Sequence, residues 1–174
     1  MADTSSTVAP PVARQETKVR FAVPSDLEFL RQDGDLSSEV IKRKIDWREI
    51  IIAEQGSDLV GYIRLEYLWA KVPYLSLIHV FPKHRRQGVG ETMLRFIEEL
   101  YRGQGHETLY CSLQADESSP LGWLRRMGFE ECGIIAGINP GGIGEVFFRK
   151  RLRPFVPITP LPDLPDKPYL EGDR

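Results

Sequence analysis

The period of the sequence changes twice across residues 74–102, and that double change restricts the folds open to the chain. Residues 74–81, YLSLIHVF, are rich in β-branched and aromatic side chains and read as a buried strand. Pro82 lacks an amide proton and ends it. Lys83, His84, Arg85 and Arg86 follow, then Gln87-Gly88-Val89-Gly90. Residues 91–102 read as a helix, with Met93, Leu94, Ile97, Leu100 and Tyr101 on one apolar face. A strand, a basic glycine loop and a helix start make an anion site. The first helical turn leaves amides unpaired beside the positive end of the macrodipole, and glycine lets a ligand approach that backbone. Arg85 and Arg86 add forked donors suited to phosphate.

Composition narrows the classes. A chain of 174 residues, 41% hydrophobic and 28% charged, predicts a single globular domain with a real core. The net charge of −2 argues against nucleic acid as a partner, and no apolar run is long enough for a membrane. The start Met1-Ala-Asp-Thr lacks the pattern of a secretory signal, which predicts a cytoplasmic location. Cys111 and Cys132 have no metal-binding spacing, so no metal is expected. Residues 1–16 read as a disordered leader, 17–153 as the folded domain and 154–174 as an extended tail carrying six prolines.

Within the domain, strands are expected at 18–23, 49–54, 59–68, 74–81, 108–113, 130–135 and 145–150. Helices are expected after Pro24, with Ser25 and Glu28 at capping-box spacing, and at 38–45, 91–102 and 120–127. Alternation over 59–68 predicts Leu59, Gly61, Ile63, Leu65 and Tyr67 on one face, with Arg64 and Glu66 on the other. The helix-length run between strands 74–81 and 108–113 implies a right-handed parallel β-α-β unit. The glycines at 141, 142 and 144 read as a flexible hairpin tip.

The spacing Val80-x-Pro82-x-x-Arg85-x-x-Gly88-x-Gly90 resembles the acetyl-coenzyme A signature of the GNAT superfamily of N-acyltransferases. Residues 123–129, WLRRMGF, resemble its second signature, and the element order matches over roughly 18–151. The resemblance implies an α/β (α+β) fold, a mixed sheet of about seven strands with helices on both faces, ordered β-α-α-β-β-β-α-β-α-β-β. It implies acetyl-CoA as co-substrate, held by Arg85, Arg86, Gln87, Gly88, Val89, Gly90 and Glu91 at the pyrophosphate and by the main chain of Ile78 and Val80 along the pantetheine. The Val80 amide then polarises the thioester carbonyl. The implied reaction is acetyl transfer to a primary amine of a small molecule, amino acid or peptide, by direct attack in a ternary complex. A non-catalytic CoA-binding module on the same fold is the alternative, and a homodimer is left open.

The proton-handling residues depart from the family pattern. Where members carry Glu or His in the organising strand, this chain has Tyr74 and Ser76; the frequent acid tyrosine is Leu124, and a frequent asparagine is Glu117. Glu66 is a candidate base, against a surface carboxylate paired with Arg64. Tyr74 is a candidate proton donor, against core packing with a polar tip. His79 alternates away from Ile78 and Val80, which predicts packing against a helix. One of Tyr110 and Cys111 faces the cleft, and the sequence leaves open which.

Overall fold

The computed structural model describes residues 15–118 and 120–152, so the expected leader and proline-rich tail lie outside the described residues. Strand β1 (Thr17–Phe21) runs through a 3-10 turn into α1 (Leu27–Leu30), followed by α2 (Ser38–Asp46), β2 (Ile50–Gln55), β3 (Asp58–Leu68) and β4 (Val72–Val80). Then come α3 (Val89–Gly103), β5 (Thr108–Gln114), α4 (Leu121–Arg126), β6 (Glu130–Ile135) and β7 (Glu145–Arg151). This is the expected order, in one seven-stranded sheet arranged β1-β2-β3-β4-β5-β7-β6. Only β4 and β5 are parallel, and α3 is the crossover between them. Among the described residues no helix is long and apolar enough to cross a membrane.

Each sheet face buries its own core. Met93, Leu94, Ile97 and Tyr101 of α3 and Leu124 of α4 pack with Ile51, Ile63, Leu75, Leu109 and Phe148. On the opposite face, Leu30, Ile41 and Ile45 of the first two helices cover Ile50, Ile52 and Tyr62. That second cluster draws on β2 to β4, and β5 and β7 contribute nothing to it. His79 lies on this side as expected, stacked on Tyr62 at 5.4 Å between ring centroids and edge-on to Phe81. Phe29 of α1 closes the aromatic group.

The first turn is closed by Asp26 rather than by Ser25 and Glu28. The Val23 amide donates to Asp26 Oδ2 at 2.8 Å, and Arg20 forks onto both Asp26 oxygens at 2.7 and 3.0 Å. The turn is a 3-10 turn at Pro24–Asp26, whose tighter pitch brings residue 26 back over residue 23. The Arg20 hydrogen bonds hold the buried Asp26 carboxyl below the usual carboxylate range. Its stabilisation is therefore complete above the unfolded value, near 4, and is lost as pH falls through the lower folded one. Asp26→Asn is expected to cost about 1–2 kcal/mol at pH 7, discounted because the Arg20 side chain is 34% exposed. Urea titrations from pH 7 downward check this: the gap between wild type and variant should close in acid.

One bulge corrects the predicted alternation in β3, and another reshapes β4. Ala53 pairs with Gly61 and Glu54 with Leu59, so Val60 is an extra residue in β3. The bulge sends Leu59 to the α1/α2 face and Val60 into the α3 core. Further along, Arg64 pairs with Leu77 and Leu65 with Leu75, which leaves Ser76 as the extra residue of β4. Ser76 Oγ fastens the bulge by donating to the Arg64 carbonyl at 3.2 Å. A bulge bends its strand and sharpens the twist. Accordingly β4 pairs with β5 only through Tyr74↔Tyr110 and Leu75↔Cys111, and from Ser76 onward the two strands fork.

Candidate active site

The fork exposes a backbone edge in the middle of the sheet. The Phe81 amide donates back to the Val60 carbonyl at 3.1 Å, so it points toward β3. Successive residues of a strand point their polar groups to opposite neighbours, so His79 also faces β3, while Ile78 and Val80 aim their amides into the gap. Their side chains line the floor of the gap, beside Gly90 and Trp123. Main-chain donors spaced two residues apart along an open strand suit an extended ligand rich in amides.

At the end of β4 the chain turns through Pro82–His84 and enters the loop that precedes α3. Arg86 (φ 60°) and Gly88 (φ 87°) are both left-handed, and Gln87 between them is not. Alternation of this kind turns consecutive amides toward one point, forming a nest for an anion. The first intrahelical bond is Thr92 N–H to the Gly88 carbonyl, so the amides of Val89, Gly90 and Glu91 also lack helical partners. No side chain caps them among the described residues. A left-handed arginine is strained by about 1–3 kcal/mol, a strain commonly found at ligand clamps.

The side chains of this loop divide their work. Arg85 Nε donates to the Val80 carbonyl at 2.8 Å, tying the loop to the end of β4. Gln87 Nε2 closes the turn on the Lys83 carbonyl at 2.9 Å. Arg86 is exposed and Glu91 pairs with Arg95 one turn further along α3. His84 Nδ1 is tied to Gln55 Oε1 at 2.9 Å. Lys83 and Arg86 are both exposed, and Arg86 is the one whose own backbone belongs to the nest.

At the apex of the fork lies a polar chain that crosses three strands. Tyr74 Oη meets Ser112 Oγ at 2.6 Å, and Ser112 hydrogen-bonds Glu145 Oε1. Asn139 Nδ2 donates to the other Glu145 oxygen at 2.8 Å. Burial raises the Tyr74 phenol above its ordinary value, and the nearby Glu145, Cys111 and Glu66 push the same way, so Tyr74 keeps its proton. The glycine-rich connection is thus no free tip. It forms a 3-10 turn at Pro140–Gly142, closed by Asn139 N–H to the Ile143 carbonyl at 3.0 Å.

The remaining candidates separate cleanly. Tyr110 stands beside Tyr74 on the open face, whereas Cys111 is buried in the α3 core and its thiol is pushed up to about 12 by burial. Alkylation is therefore expected to modify exposed Cys132 and spare Cys111, as mass spectrometry after brief iodoacetamide treatment would record. Leu124 is 3% exposed inside the core and handles no proton. Glu66 does stand opposite Tyr74, but it pairs with Lys44 at 3.4 Å, while Arg64 pairs with Asp35 at 3.0 Å. Lys44 is itself committed to Glu49 at 3.0 Å. Ser112, Asn139 and Glu145 escaped the sequence reading because only the β5–β7 register brings them to Tyr74. Among the described residues no cluster of His, Cys, Asp and Glu is arranged to hold a metal ion.

Comparison with known proteins identifies the family and the fold. A streptothricin acetyltransferase from Streptomyces lavendulae is 27% identical over 101 residues, covering 58% of this chain and 53% of that enzyme. The chain thus spans about half the length of that relative. Among solved structures, the ribosomal-protein-S18-alanine N-acetyltransferase of Escherichia coli superposes with a TM-score of 0.69 at 16% identity, over 82% of this chain and 97% of that one. The yncA protein of Salmonella typhimurium, solved with its cofactor acetyl-CoA, gives 0.66 at 13% identity, over 84% and 99%. At such identities the likeness is one of fold. The family model described as the acetyltransferase (GNAT) family matches residues 21–129, from the end of β1 past the close of α4. More than half of the chain falls within that match, and the chain belongs to the acetyltransferase (GNAT) family.

Proposed function

We propose that this protein is an acetyl-CoA-dependent N-acetyltransferase that acetylates a primary amine of a small molecule, amino acid or peptide by direct attack in a ternary complex. The observation that carries the reading is the fork itself. An edge of unpaired amides on β4 leads from the anion nest at Arg86–Gly88 to the polar chain at Tyr74. The residues fit the coenzyme: a diphosphate takes the amides of residues 86–91 and the Arg86 charge, and a pantetheine arm pairs with Val80 and Ile78. Acetyl-CoA supplies an activated acyl thioester. Counting from the nest, Ile78 is two residues nearer the apex than Val80, about 7 Å along a strand. We therefore place the carbonyl-polarising amide at Ile78, with Val80 behind it on the arm. This shifts the role that the resemblance gave Val80.

Holding amine and thioester in near-attack geometry contributes up to roughly 7–11 kcal/mol to such a reaction. Titration calorimetry with CoA tests the site. Arg86→Ala is expected to weaken binding about tenfold, the equivalent of 1.4 kcal/mol, and less so at high salt. Gly90→Phe is expected to abolish binding, because a Cβ there already touches Trp123, Val80 and Ile78 at 3.5–3.8 Å and a ring must push past them into the gap. Unchanged affinity in both variants would remove the loop from the site. Thiol release from acetyl-CoA with a panel of primary amines then tests the chemistry; binding without turnover on any of them favours a non-catalytic module.

A further inference from the structure

We propose that the acceptor nitrogen surrenders its proton through a relay of Tyr74, Ser112 and Glu145, and that Tyr74 Oη is the atom on which that nitrogen docks. The inference rests on the acetyltransferase reading above and supplies the base that the family's usual positions lack.

Hydrogen-bond direction settles the polarity of the chain. An ionised carboxylate only accepts, so Ser112 must donate its single hydroxyl proton to Glu145 Oε1. Ser112 Oγ then has only lone pairs left for Tyr74, so Tyr74 donates inward across the 2.6 Å contact. The phenol proton is spent, and the remaining lone pair of Oη is an acceptor. An acceptor at that point takes an N–H, not a carbonyl or a carboxylate. Asn139 holds the second Glu145 oxygen at 2.8 Å, fixing the carboxylate at the far end. The Tyr74 ring is held against Phe147, 6.2 Å between centroids.

The location matches the need. Tyr74 is one residue short of the last rung, Leu75↔Cys111, at which β4 leaves β5, and residues 76–80 span about 13 Å of open edge from there toward the nest. Its side chain stands on the same sheet face as His79 but beyond the cover of the first two helices. The charged and titratable groups on the Tyr74 face are Glu66 of β3, Tyr110 of β5, and Arg149 and Glu145 of β7, while Cys111 acts on Tyr74 from the opposite face of the sheet. Around Glu145 stand Ser112 and Gln114 of β5, Ile135 of β6 and Asn139. The cation on this face, Arg149, is directed toward Glu130 at 3.9 Å.

The proton balance is complete. An acceptor ammonium passes one proton to Tyr74 Oη as the Tyr74 proton moves to Ser112 Oγ and the Ser112 proton to Glu145. The neutral nitrogen then attacks the acyl carbon, so a C–N bond forms and the C–S bond breaks. The second nitrogen proton goes to the departing sulfur, and Glu145 returns the first to water. Concerted transfer of this kind requires no tyrosinate.

Two measurements test the relay. Without substrate, in protein carrying 13C at the tyrosine ζ carbon, the Tyr74 resonance should shift as Glu145 titrates. The shift should vanish in Glu145→Gln and in Ser112→Ala; a Tyr74 resonance indifferent to Glu145 would overturn the relay. In turnover, Glu145→Gln and Tyr74→Phe are expected to lose about 100-fold in kcat at pH 7 with CoA affinity unchanged. The loss should shrink tenfold per pH unit as the free amine becomes available from solution. A loss that is equal at every pH marks a merely structural role and sinks the relay. Wild-type protein that releases thiol with no amine refutes the acetyltransferase reading instead, and the resonance titration then decides the relay by itself.

Discussion

Gly61→Ala is expected to lower the unfolding free energy by about 1–3 kcal/mol and to weaken CoA binding about tenfold. Gly61 faces Val80 across the β3–β4 ladder, and a Cβ there would lie 2.6 Å from the His79 carbonyl oxygen and 3.2 Å from Met93 Cε. The methionine tip can swing aside, but the carbonyl belongs to the backbone of β4 and moves only with the strand. Its displacement turns the neighbouring amides of Ile78 and Val80 away from the line that a pantetheine arm must follow. Gly90→Ala is the contrast: its Cβ meets Trp123, Val80 and Ile78 at ordinary contact distances of 3.5–3.8 Å, so binding should change little. Urea unfolding and CoA calorimetry on both variants check the argument. If the two alanines behave alike, backbone crowding at Gly61 is not what keeps β4 in place.

Phe148→Ala is expected to cost about 3–5 kcal/mol, the largest stability loss of any single change considered. The ring is 1% exposed, on β7 between Cys111 of β5 and Glu131 of β6, and it fills the core beneath α3 and α4. Truncation removes the transfer energy of the ring and leaves a cavity bounded by sheet backbone that cannot collapse. At about 2–4 °C per kcal/mol for a chain of this size, the melting temperature should fall roughly 6–20 °C. The adjacent Phe147 points to the other face, half-buried against Tyr74. Its alanine variant should lose much less stability and proportionally more turnover. Calorimetric scans of the pair separate the two faces; equal melting shifts would contradict the assignment of faces.

The glycine loop and the helix behind it were legible because their signals are local. Pro82, the glycines at 88 and 90 and the 3.6-residue apolar stripe of α3 all act within a few residues of themselves. Likewise, the parallel β4–β5 pair followed from a crossover of helical length. Alternation failed at Leu59, since one extra residue in a strand inverts every side chain beyond it, and no residue type announces a bulge. The bland expectation for Glu66, a surface carboxylate paired with Arg64, held for its exposure but not for its partner. Its partner is Lys44 from α2 rather than Arg64 two residues away, since helix–sheet packing sets that contact and strand spacing does not.

Sequence alone thus determined the element order, the parallel crossover and the glycine turn before α3, because dihedral preference and apolar period are properties of short segments. Tertiary structure decided the rest. The Ser76 bulge opens β4 from β5, and the β5–β7 register carries Ser112 and Glu145 to Tyr74 from 38 and 71 residues away in the chain. Strand pairing at that separation depends on the summed packing of both sheet faces, an energy that belongs to no local stretch of the chain.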